Sequence, residues 1–301
     1  MARLTAVVLG AAAGGGYPQW NCRCAVCRLA WDGDERVSAR TQASVAVSGD
    51  GAHWILLNAS PDLKAQIEAT RALHPRGERR GSPIAAVILT GAEVDQVAGL
   101  LTLRERQRFD LYATAETLGT LEVNPIFAVL GRDAVVRRPI VLGQPFPLPG
   151  DIEAEVFAVP GKVPLYMEAA SMPLDAAPEG NTGVEIRAGR ARLVFIPGAA
   201  ALPAALRERC ASADVLLFDG TLFTDDEMIR TGTGTKSGRR MGHIPIDVAD
   251  GSLAALADLS NRRIYIHLNN TNPVLVSGSP ERGKVEAAGW EVAADGLEIV
   301  L

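Results

Sequence analysis

Short apolar runs recur along the chain, most of them four to seven residues long and enriched in Val and Ile. Gly, Pro or Asp often lies nearby, which is the pattern of buried strands bounded by turns. The runs predict strands at residues 6–9, 44–47, 54–58, 85–89, 111–113, 153–159, 183–186, 192–196, 215–218 and 263–267.

Segments with apolar residues at helical spacing lie between several of these strands. They predict helices at residues 61–70, 95–106, 203–211 and 252–259, and a last helix that begins at Ser279 or Pro280. Strands with helices interspersed predict an α/β fold in which two packed sheets are covered by helices. A length of 301 residues is near the upper limit for one domain, so we expect one domain over residues 1–301.

Two segments have the composition of loops. Residues 162–181 contain three prolines, and residues 231–242 read TGTGTKSGRRMG. Long loops in compact domains tend to be functional, so we expect both segments to border the active site.

Charge and hydropathy exclude several classes of partner. The net charge is -5, and acidic and basic residues are interspersed without a basic stripe. This pattern argues against nucleic acid and against an anionic membrane surface. No stretch approaches the roughly 18 apolar residues of a membrane span. The apolar run in residues 1–13 favours a first strand over a secretory signal, so we expect a cytoplasmic protein.

Three of the four cysteines fall within the segment NCRCAVC at residues 21–27. A disulfide framework spreads its cysteines along the chain, whereas tight clustering favours a metal. Cys22, Cys24 and Cys27 can surround one zinc ion, and a fourth ligand must come from elsewhere in the chain or from water. The alternative is a loop with free thiols. The fourth cysteine, Cys210, is expected to be a small core residue.

The segment ILTGAEVDQVAGLL at residues 88–101 places a polar turn between a strand and a helix. It resembles the metal-binding signature of the metallo-β-lactamase superfamily, in which the strand ends in Thr-His-x-His-x-Asp-His before a Gly-Leu helix. Gly91, Glu93 and Gln96 stand at the three histidine positions, and Asp95 alone is retained. The scaffold pattern therefore survives without its imidazoles.

Later superfamily positions are partly retained. Lys162 follows Pro160 and Gly161 where the superfamily has Pro-Gly-His, while Asp219 in LLFDGTL and His267 in IYIHLNN stand at the expected strand ends. The chain has four histidines, which is too few for a histidine-rich zinc pair.

A different metal site can be assembled from the residues that remain. Asp95, Asp219 and His267, with Glu93 and His243 nearby, combine two histidines with carboxylates, which is the type of ligand set found in non-haem Fe(II) oxygenases. Each residue also has a plainer interpretation. Asp95 could favour a helix N-terminus, Asp219 could cap a turn, and His243 could bond a neighbouring loop. Their joint order at strand ends favours a shared site.

The segments GGGYPQWNCRCAVC, FDGTLFTDDEM, MGHIPI and IYIHLNNTNP together resemble the pyrroloquinoline quinone biosynthesis protein B family along the whole chain. This resemblance implies a metallo-β-lactamase-like αββα sandwich, with two packed mixed sheets flanked by helices and a structural zinc. The family takes part in making a quinone cofactor from a Glu and a Tyr of a precursor peptide. The resemblance implies an iron-dependent hydroxylase of the tyrosine ring in a Glu-Tyr intermediate; the alternative is a non-catalytic carrier of the finished cofactor.

The resemblance also assigns residues. It implies structural Zn2+ on the three clustered cysteines with Asn270 as a weak fourth candidate, and catalytic Fe2+ on Asp95, Asp219 and His267 with Glu93 and a catalytic His243 close by. The expected partners are a small peptide or dipeptide and O2, and a homo-oligomer is compatible with the sequence. Lys162, Arg239 and Arg240 are candidates for binding substrate carboxylates or, alternatively, solvated loop charges.

Three classes of protein remain distinguishable by their metals. An oxygenase predicts one zinc plus stoichiometric iron, and a carrier predicts zinc alone. A zinc-dependent hydrolase requires the histidines that this chain lacks.

Overall fold

The computed structural model describes residues 3–77, 79–162 and 179–301. Its strands are β1 Thr5–Gly10, β2 Ser44–Ser48, β3 Trp54–Leu57, β4 Ile84–Ile88, β5 Phe109–Thr114, β6 Val135–Ile140, β7 Phe146–Leu148, β8 Ile152–Ala158, β9 Thr182–Ala188, β10 Ala191–Ile196, β11 Val215–Asp219, β12 Arg262–Ile266, β13 Trp290–Val292 and β14 Glu298–Val300. Its α-helices are α1 Ala25–Trp31, α2 Leu63–Ala69, α3 Val94–Val97, α4 Ala115–Val123, α5 Ala204–Ser212, α6 Glu227–Arg230, α7 Ser252–Ala255 and α8 Pro280–Ala287.

Within these described ranges the strands form two seven-stranded sheets. The first has the order β14-β1-β2-β3-β4-β5-β6, and the second has the order β13-β12-β11-β10-β9-β8-β7. Each sheet is mixed. Strands β3 to β6 and strands β10 to β13 run parallel, while the remaining pairs are antiparallel. The predicted pair of mixed sheets is confirmed.

The hydrophobic core has three parts. One cluster draws alternate side chains from both sheets, including Val45 and Leu57 from the first and Ile186 and Phe195 from the second, and therefore lies between them. Two further clusters cover the outer faces of the sheets beneath the helices. Because the central strands are buried on both faces, they appear in the sequence as continuous apolar runs rather than alternating ones.

The parallel strands bring the candidate metal ligands to one edge of the sandwich. Asp219 is the last residue of β11, His267 directly follows β12, and Asp95 lies in α3, which follows β4 after a short turn. The carboxyl ends of parallel strands are the usual location of ligand sites in α/β sheets. His267 has a φ of 59°, a left-handed conformation that is uncommon for a residue with a side chain and is often associated with functional sites.

Secondary structure differs from the predictions in a few places. The ten predicted strands are present, but β6, β7, β13 and β14 were not predicted, nor were helices α1, α4 and α6. The predicted helix at 95–106 is a short α-helix, α3, followed by a 3-10 helix at Ala98–Leu103. Most of the loop predicted at 162–181 lies outside the described residues. In the described part of the chain, no helix is long and apolar enough to cross a membrane.

Candidate metal centres

The first candidate centre is formed by the clustered cysteines at the start of α1. Cys24 is the N-cap of this helix, and its Sγ accepts a hydrogen bond of 3.4 Å from the backbone N–H of Cys27. The Sγ atom of Cys22 accepts a similar bond of 3.4 Å from the N–H of Cys24. The three Sγ atoms lie within 4.8 Å of one another, so the local backbone already gathers them as one zinc ion requires.

Asn270 closes this cluster from the opposite side. Its main-chain carbonyl oxygen lies 3.7 Å from the Sγ atom of Cys24 and 3.6 Å from that of Cys27, and its side-chain amide donates to Cys27 over 3.2 Å. The hydrogen bond between the two thiols raises the pKa of Cys24 and lowers that of Cys27. The structure thus places Asn270 against the cysteines, and its role as a ligand stays a prediction.

The second candidate centre lies in a cavity of about 450 Å³ at the edge of the sandwich. Asp95, His243 and His267 line it, together with Glu93 and Lys162. The predicted loop at 231–242 also borders the cavity through Gly234, Thr235, Lys236, Met241 and Gly242. The expectation that this loop lies beside the candidate site is therefore met.

His267 and Asp95 form a close pair across 172 positions of sequence. The Nε2 atom of His267 is 3.0 Å from Oδ2 of Asp95. Burial alone would lower the pKa of His267, but the hydrogen bond and negative charge of Asp95 outweigh burial and raise it. Burial likewise opposes ionisation of Asp95, and the partner imidazole lowers the pKa of that carboxyl below its usual value. A metal ion that bound both atoms would replace the proton of this ion pair.

Asp219 is fully buried at the end of β11, and both of its oxygens are held. Oδ1 accepts from the backbone N–H and the hydroxyl of Thr221 at 3.0 and 2.6 Å, while Oδ2 accepts from the N–H of Ala199 at 2.9 Å and lies 2.8 Å from Nδ1 of His243. Burial alone would raise the pKa of Asp219. The charge and hydrogen bond of His243 outweigh it and hold the pKa below its usual value.

The two cavity histidines lie side by side. Their ring centroids are 5.3 Å apart and their planes are inclined by 22°. In the described residues, the side chains of Asp219, His243 and His267 form the second group whose ligand atoms lie within 4.8 Å of one another. Asp95 joins this group through His267. All four residues that the sequence analysis assigned to catalysis therefore meet in one place.

Glu93 and Gly91 occupy former histidine positions in different ways. The Glu93 carboxylate lies 3.6 Å from Nζ of Lys162 at the cavity wall, and the Glu93 backbone N–H donates to the side chain of Gln96 over 3.1 Å. A Cβ atom at Gly91 would come within 2.6 Å of both Oε1 of Gln96 and the carbonyl oxygen of Gly180. The neighbouring atoms have therefore filled the space that a ligand at position 91 would need.

Other candidates lie outside the cavity. His53 pairs with Asp50 at 2.7 Å, and the ring of His74 bonds a backbone carbonyl; both side chains are on the surface.

Arg239 forms an ion pair of 2.7 Å with Asp250, and neither it nor Arg240 is among the described residues that line the cavity. Of the three cations proposed for substrate carboxylates, Lys162 alone belongs to the cavity wall.

Sequence reasoning missed two residues of this centre. Lys236 lines the cavity, but within TGTGTKSGRRMG nothing distinguishes it from the neighbouring arginines. Thr221 is 4 % exposed, and its hydroxyl lies among Asp219, His243 and His267. A threonine two positions after an aspartate has no sequence signature of its own, so its role is visible only in the folded protein.

The donor atoms fit the metals that the sequence predicts. Three sulfur atoms at the first centre suit zinc, which prefers soft ligands in a tetrahedral arrangement. Two imidazoles with carboxylates at the second centre suit a single divalent transition metal such as ferrous iron, with room left for substrate.

Comparison with known proteins assigns the fold and then the family. Residues 53–267 match the family model described as a beta-lactamase superfamily domain, and this range includes Asp95, Asp219 and both cavity histidines. Coenzyme PQQ synthesis protein B of Methylorubrum populi is 56% identical over 98% of this chain and 99% of its own length. The protein of that name from Ruegeria pomeroyi is 55% identical over 98% and 99%. The chain belongs to the coenzyme PQQ synthesis protein B family.

Solved structures agree with this assignment. The crystal structure of Zn(2+)-bound PqqB from Methylobacterium extorquens matches with a TM-score of 0.96 and 55% identity, covering 98% of this chain and 99% of that one. A diphosphatase of the PhnP family matches with a TM-score of 0.70 at 19% identity over 99% and 97% of the two chains. The second likeness shows the shared fold alone.

Proposed function

We propose that this protein acts in the synthesis of coenzyme PQQ, where it hydroxylates the tyrosine ring of a Glu-Tyr intermediate with Fe2+ and O2. The names of its relatives support the pathway. The observation that carries the chemistry is that two imidazoles and Asp95 line one cavity, with the buried carboxylate of Asp219 against His243, where the superfamily signature has more histidines. Carboxylate and imidazole ligands suit ferrous iron, and zinc has no redox chemistry to offer.

The metal and the chain have separate tasks in this proposal. Ferrous iron held by Asp95 and His267, with Asp219 and His243 beside them, would supply the redox chemistry that oxygen insertion into an aromatic C–H bond requires. One atom of O2 enters the ring and the other leaves as water, with two electrons from an external reductant and two protons. The carboxylate of Asp219 holds the Nδ1 proton of His243. The Nε2 atom of His243 is then free to accept the phenol proton of the substrate.

The cavity has the size and charge for a small acidic peptide. Its volume of about 450 Å³ falls within the range of ordinary small-molecule sites. Lys162 and Lys236 lie in its wall, and we propose that they bind the substrate carboxylates through charge-assisted hydrogen bonds. We also propose that Glu93, whose carboxylate lies 3.6 Å from Nζ of Lys162, receives the substrate amino group.

The geometry disfavours a dinuclear zinc hydrolase. A second zinc would need imidazoles at the positions of Gly91, Glu93 and Gln96, and the surroundings of Gly91 leave no space for a side chain. The pocket therefore supports one catalytic metal.

A direct assay tests this proposal. Protein reconstituted with Fe2+ without oxygen would be given Glu-Tyr and a reductant and then exposed to 18O2, and the product would be analysed by mass spectrometry. We expect one labelled oxygen atom in the tyrosine ring. Protein that binds both iron and substrate but gives no labelled product would contradict the hydroxylase. In that case, PQQ binding without turnover would favour the carrier alternative.

A further inference from the structure

The hydroxyl of Thr221 lies between Asp219 and the Nδ1 atoms of the two cavity histidines. Its Oγ1 atom lies 2.6 Å from Oδ1 of Asp219, 2.8 Å from Nδ1 of His267 and 3.0 Å from Nδ1 of His243. The carbonyl oxygen of His267 is also 3.0 Å away. The residue is buried, so these protein atoms rather than solvent determine its hydrogen bonds.

Hydrogen-bond valence limits how these contacts are made. A hydroxyl group donates one hydrogen and accepts two. The anionic oxygen of Asp219 is the nearest acceptor and takes the single hydrogen. The two lone pairs of Oγ1 then face the Nδ1 atoms of His243 and His267. Both Nδ1 atoms must therefore carry a hydrogen, because a lone pair on either one would repel the hydroxyl oxygen.

The structure assigns Thr221 as the positioning residue that fixes hydrogen on Nδ1 of His267 and so leaves Nε2 for a metal. At His243 it shares this role with Asp219, whose Oδ2 lies 2.8 Å from the same Nδ1 atom. For His267, hydrogen on Nδ1 leaves Nε2, which lies 3.0 Å from Oδ2 of Asp95, as the nitrogen that would exchange its proton for a metal bound between the two atoms. For His243, it leaves Nε2 as the proton acceptor. Outer-shell partners of metal-binding histidines commonly set the tautomer and ring orientation in this way. This inference rests on the proposed function, since it concerns a metal held at the same site.

The first test is spectroscopic and uses the wild-type protein. The chain has four histidines, so nitrogen NMR of protein labelled with 15N-histidine can resolve each imidazole. Zn2+ would fill the second site as a diamagnetic substitute. We expect hydrogen on Nδ1 of both His243 and His267. Hydrogen on Nε2 of either neutral ring would overturn the inference.

The second test is a pair of substitutions. Thr221→Val keeps the shape of the side chain and removes the hydroxyl, whereas Thr221→Ser keeps the hydroxyl. Co2+ binding at the second site would be followed by its visible absorption in protein whose cysteine site is already loaded with zinc. We expect the valine variant to bind Co2+ about 10- to 100-fold more weakly. The serine variant should stay close to wild type in both affinity and spectrum.

The outcomes separate this inference from the proposed function. Wild-type protein that binds no Co2+ or Fe2+ beyond the cysteine site contradicts the proposed function. Thr221 is then still tested in metal-free protein, because the ring 15N shifts of His243 and His267 should differ between wild type and Thr221→Val, and identical shifts would overturn its role. A valine variant with wild-type Co2+ affinity and unchanged tautomers overturns the role of Thr221 alone. If the valine variant loses its zinc and therefore does not fold, the tautomers of His243 and His267 in the wild-type protein decide whether the inference holds.

Discussion

The two candidate metal centres differ in how much of the fold each one needs. The cysteine centre takes its three candidate ligands from one segment of six residues and relies on the first turn of α1 to orient them. The carboxylate-histidine centre draws Asp95, Asp219, His243 and His267 from four separate segments. Its geometry therefore depends on parallel strands that end at a common edge.

The two centres also meet in one short segment. Between His267 and Asn272 the chain contributes to the cavity, contacts the cysteines through Asn270, and donates from the side chain of Asn272 to the carbonyl oxygen of Gly220 over 2.8 Å. The cysteine cluster therefore supports the loop after β12, and this loop carries His267 of the second centre. This difference leads us to expect that damage to the first centre chiefly affects stability, whereas damage to the second chiefly affects chemistry.

The largest effect on stability is expected from Cys27→Ser. Cys27 is fully buried, and loss of its thiolate should release the zinc and lower the free energy of unfolding by about 4 kcal/mol or more. Cys210→Ser is the matched control because Cys210 is equally buried. It should cost about 1 to 3 kcal/mol for a buried hydroxyl and retain the zinc. Zinc content by mass spectrometry and urea unfolding would measure both. A Cys27→Ser variant that keeps its zinc would contradict the assignment.

A substitution in the second centre should lower activity and leave the fold intact. His267→Asn removes the imidazole but suits the left-handed backbone at this position, because Asn adopts that conformation readily. We expect loss of bound iron and a fall in hydroxylation of more than about 100-fold, or about 2.7 kcal/mol, with the fold retained. His74→Asn, at a surface histidine outside the cavity, should change neither. Iron content and initial rates would show the difference. Equal activity in the two variants would remove His267 from the site.

Restoring a lost superfamily histidine should fail. Gly91→His places a side chain within overlap distance of Gln96 and of the backbone at Gly180. We expect it to lower the free energy of unfolding by about 1 to 3 kcal/mol without a gain in bound zinc. Gly283→His is the control, because a Cβ atom there meets no other atom within 4 Å. A Gly91→His variant that is as stable as this control and binds an additional zinc would show that the second centre can hold two metal ions.

The same contrast explains how far the sequence could be interpreted. The cysteine cluster is visible in the sequence because its spacing alone gathers the thiols. Asp95, Asp219 and His267 could be located because each follows a buried apolar strand in the superfamily order. Thr221 could not, since its role depends on three side chains that meet only in the folded protein.

The elements missed by the sequence predictions have physical reasons too. Strands β7, β13 and β14 have three residues each, too few to show a pattern, and β6 is an edge strand whose sequence VVRRPI includes two arginines and a proline. The helix at 95–106 was predicted as one element because periodicity does not separate an α-helix from a 3-10 continuation.

The smallest predicted effect concerns a contact between the segments that follow β11 and β12. These two segments carry residues of both centres. Glu227 accepts from the hydroxyl of Thr271 over 2.6 Å and from the N–H of Phe223 over 2.7 Å, so it joins the segment after β11 to the segment after β12. Burial raises the pKa of Glu227 to about 7, although these hydrogen bonds and the charge of Arg230 oppose the shift. The folded protein then binds more protons than the unfolded chain between a pH of about 4.5 and about 7.

The sign of the pH dependence follows from this difference. The contribution of Glu227 to stability is fully present below the unfolded pKa and decreases as pH rises to the folded pKa. Glu227→Gln removes the titration while its amide can still bond both partners. The variant should therefore gain stability relative to wild type between pH 5 and pH 8, as measured by urea unfolding. Glu208→Gln, on the exposed face of α5, should gain none. If the free energy of unfolding depends on pH in the same way in wild type and Glu227→Gln, the pKa of Glu227 is not raised by burial.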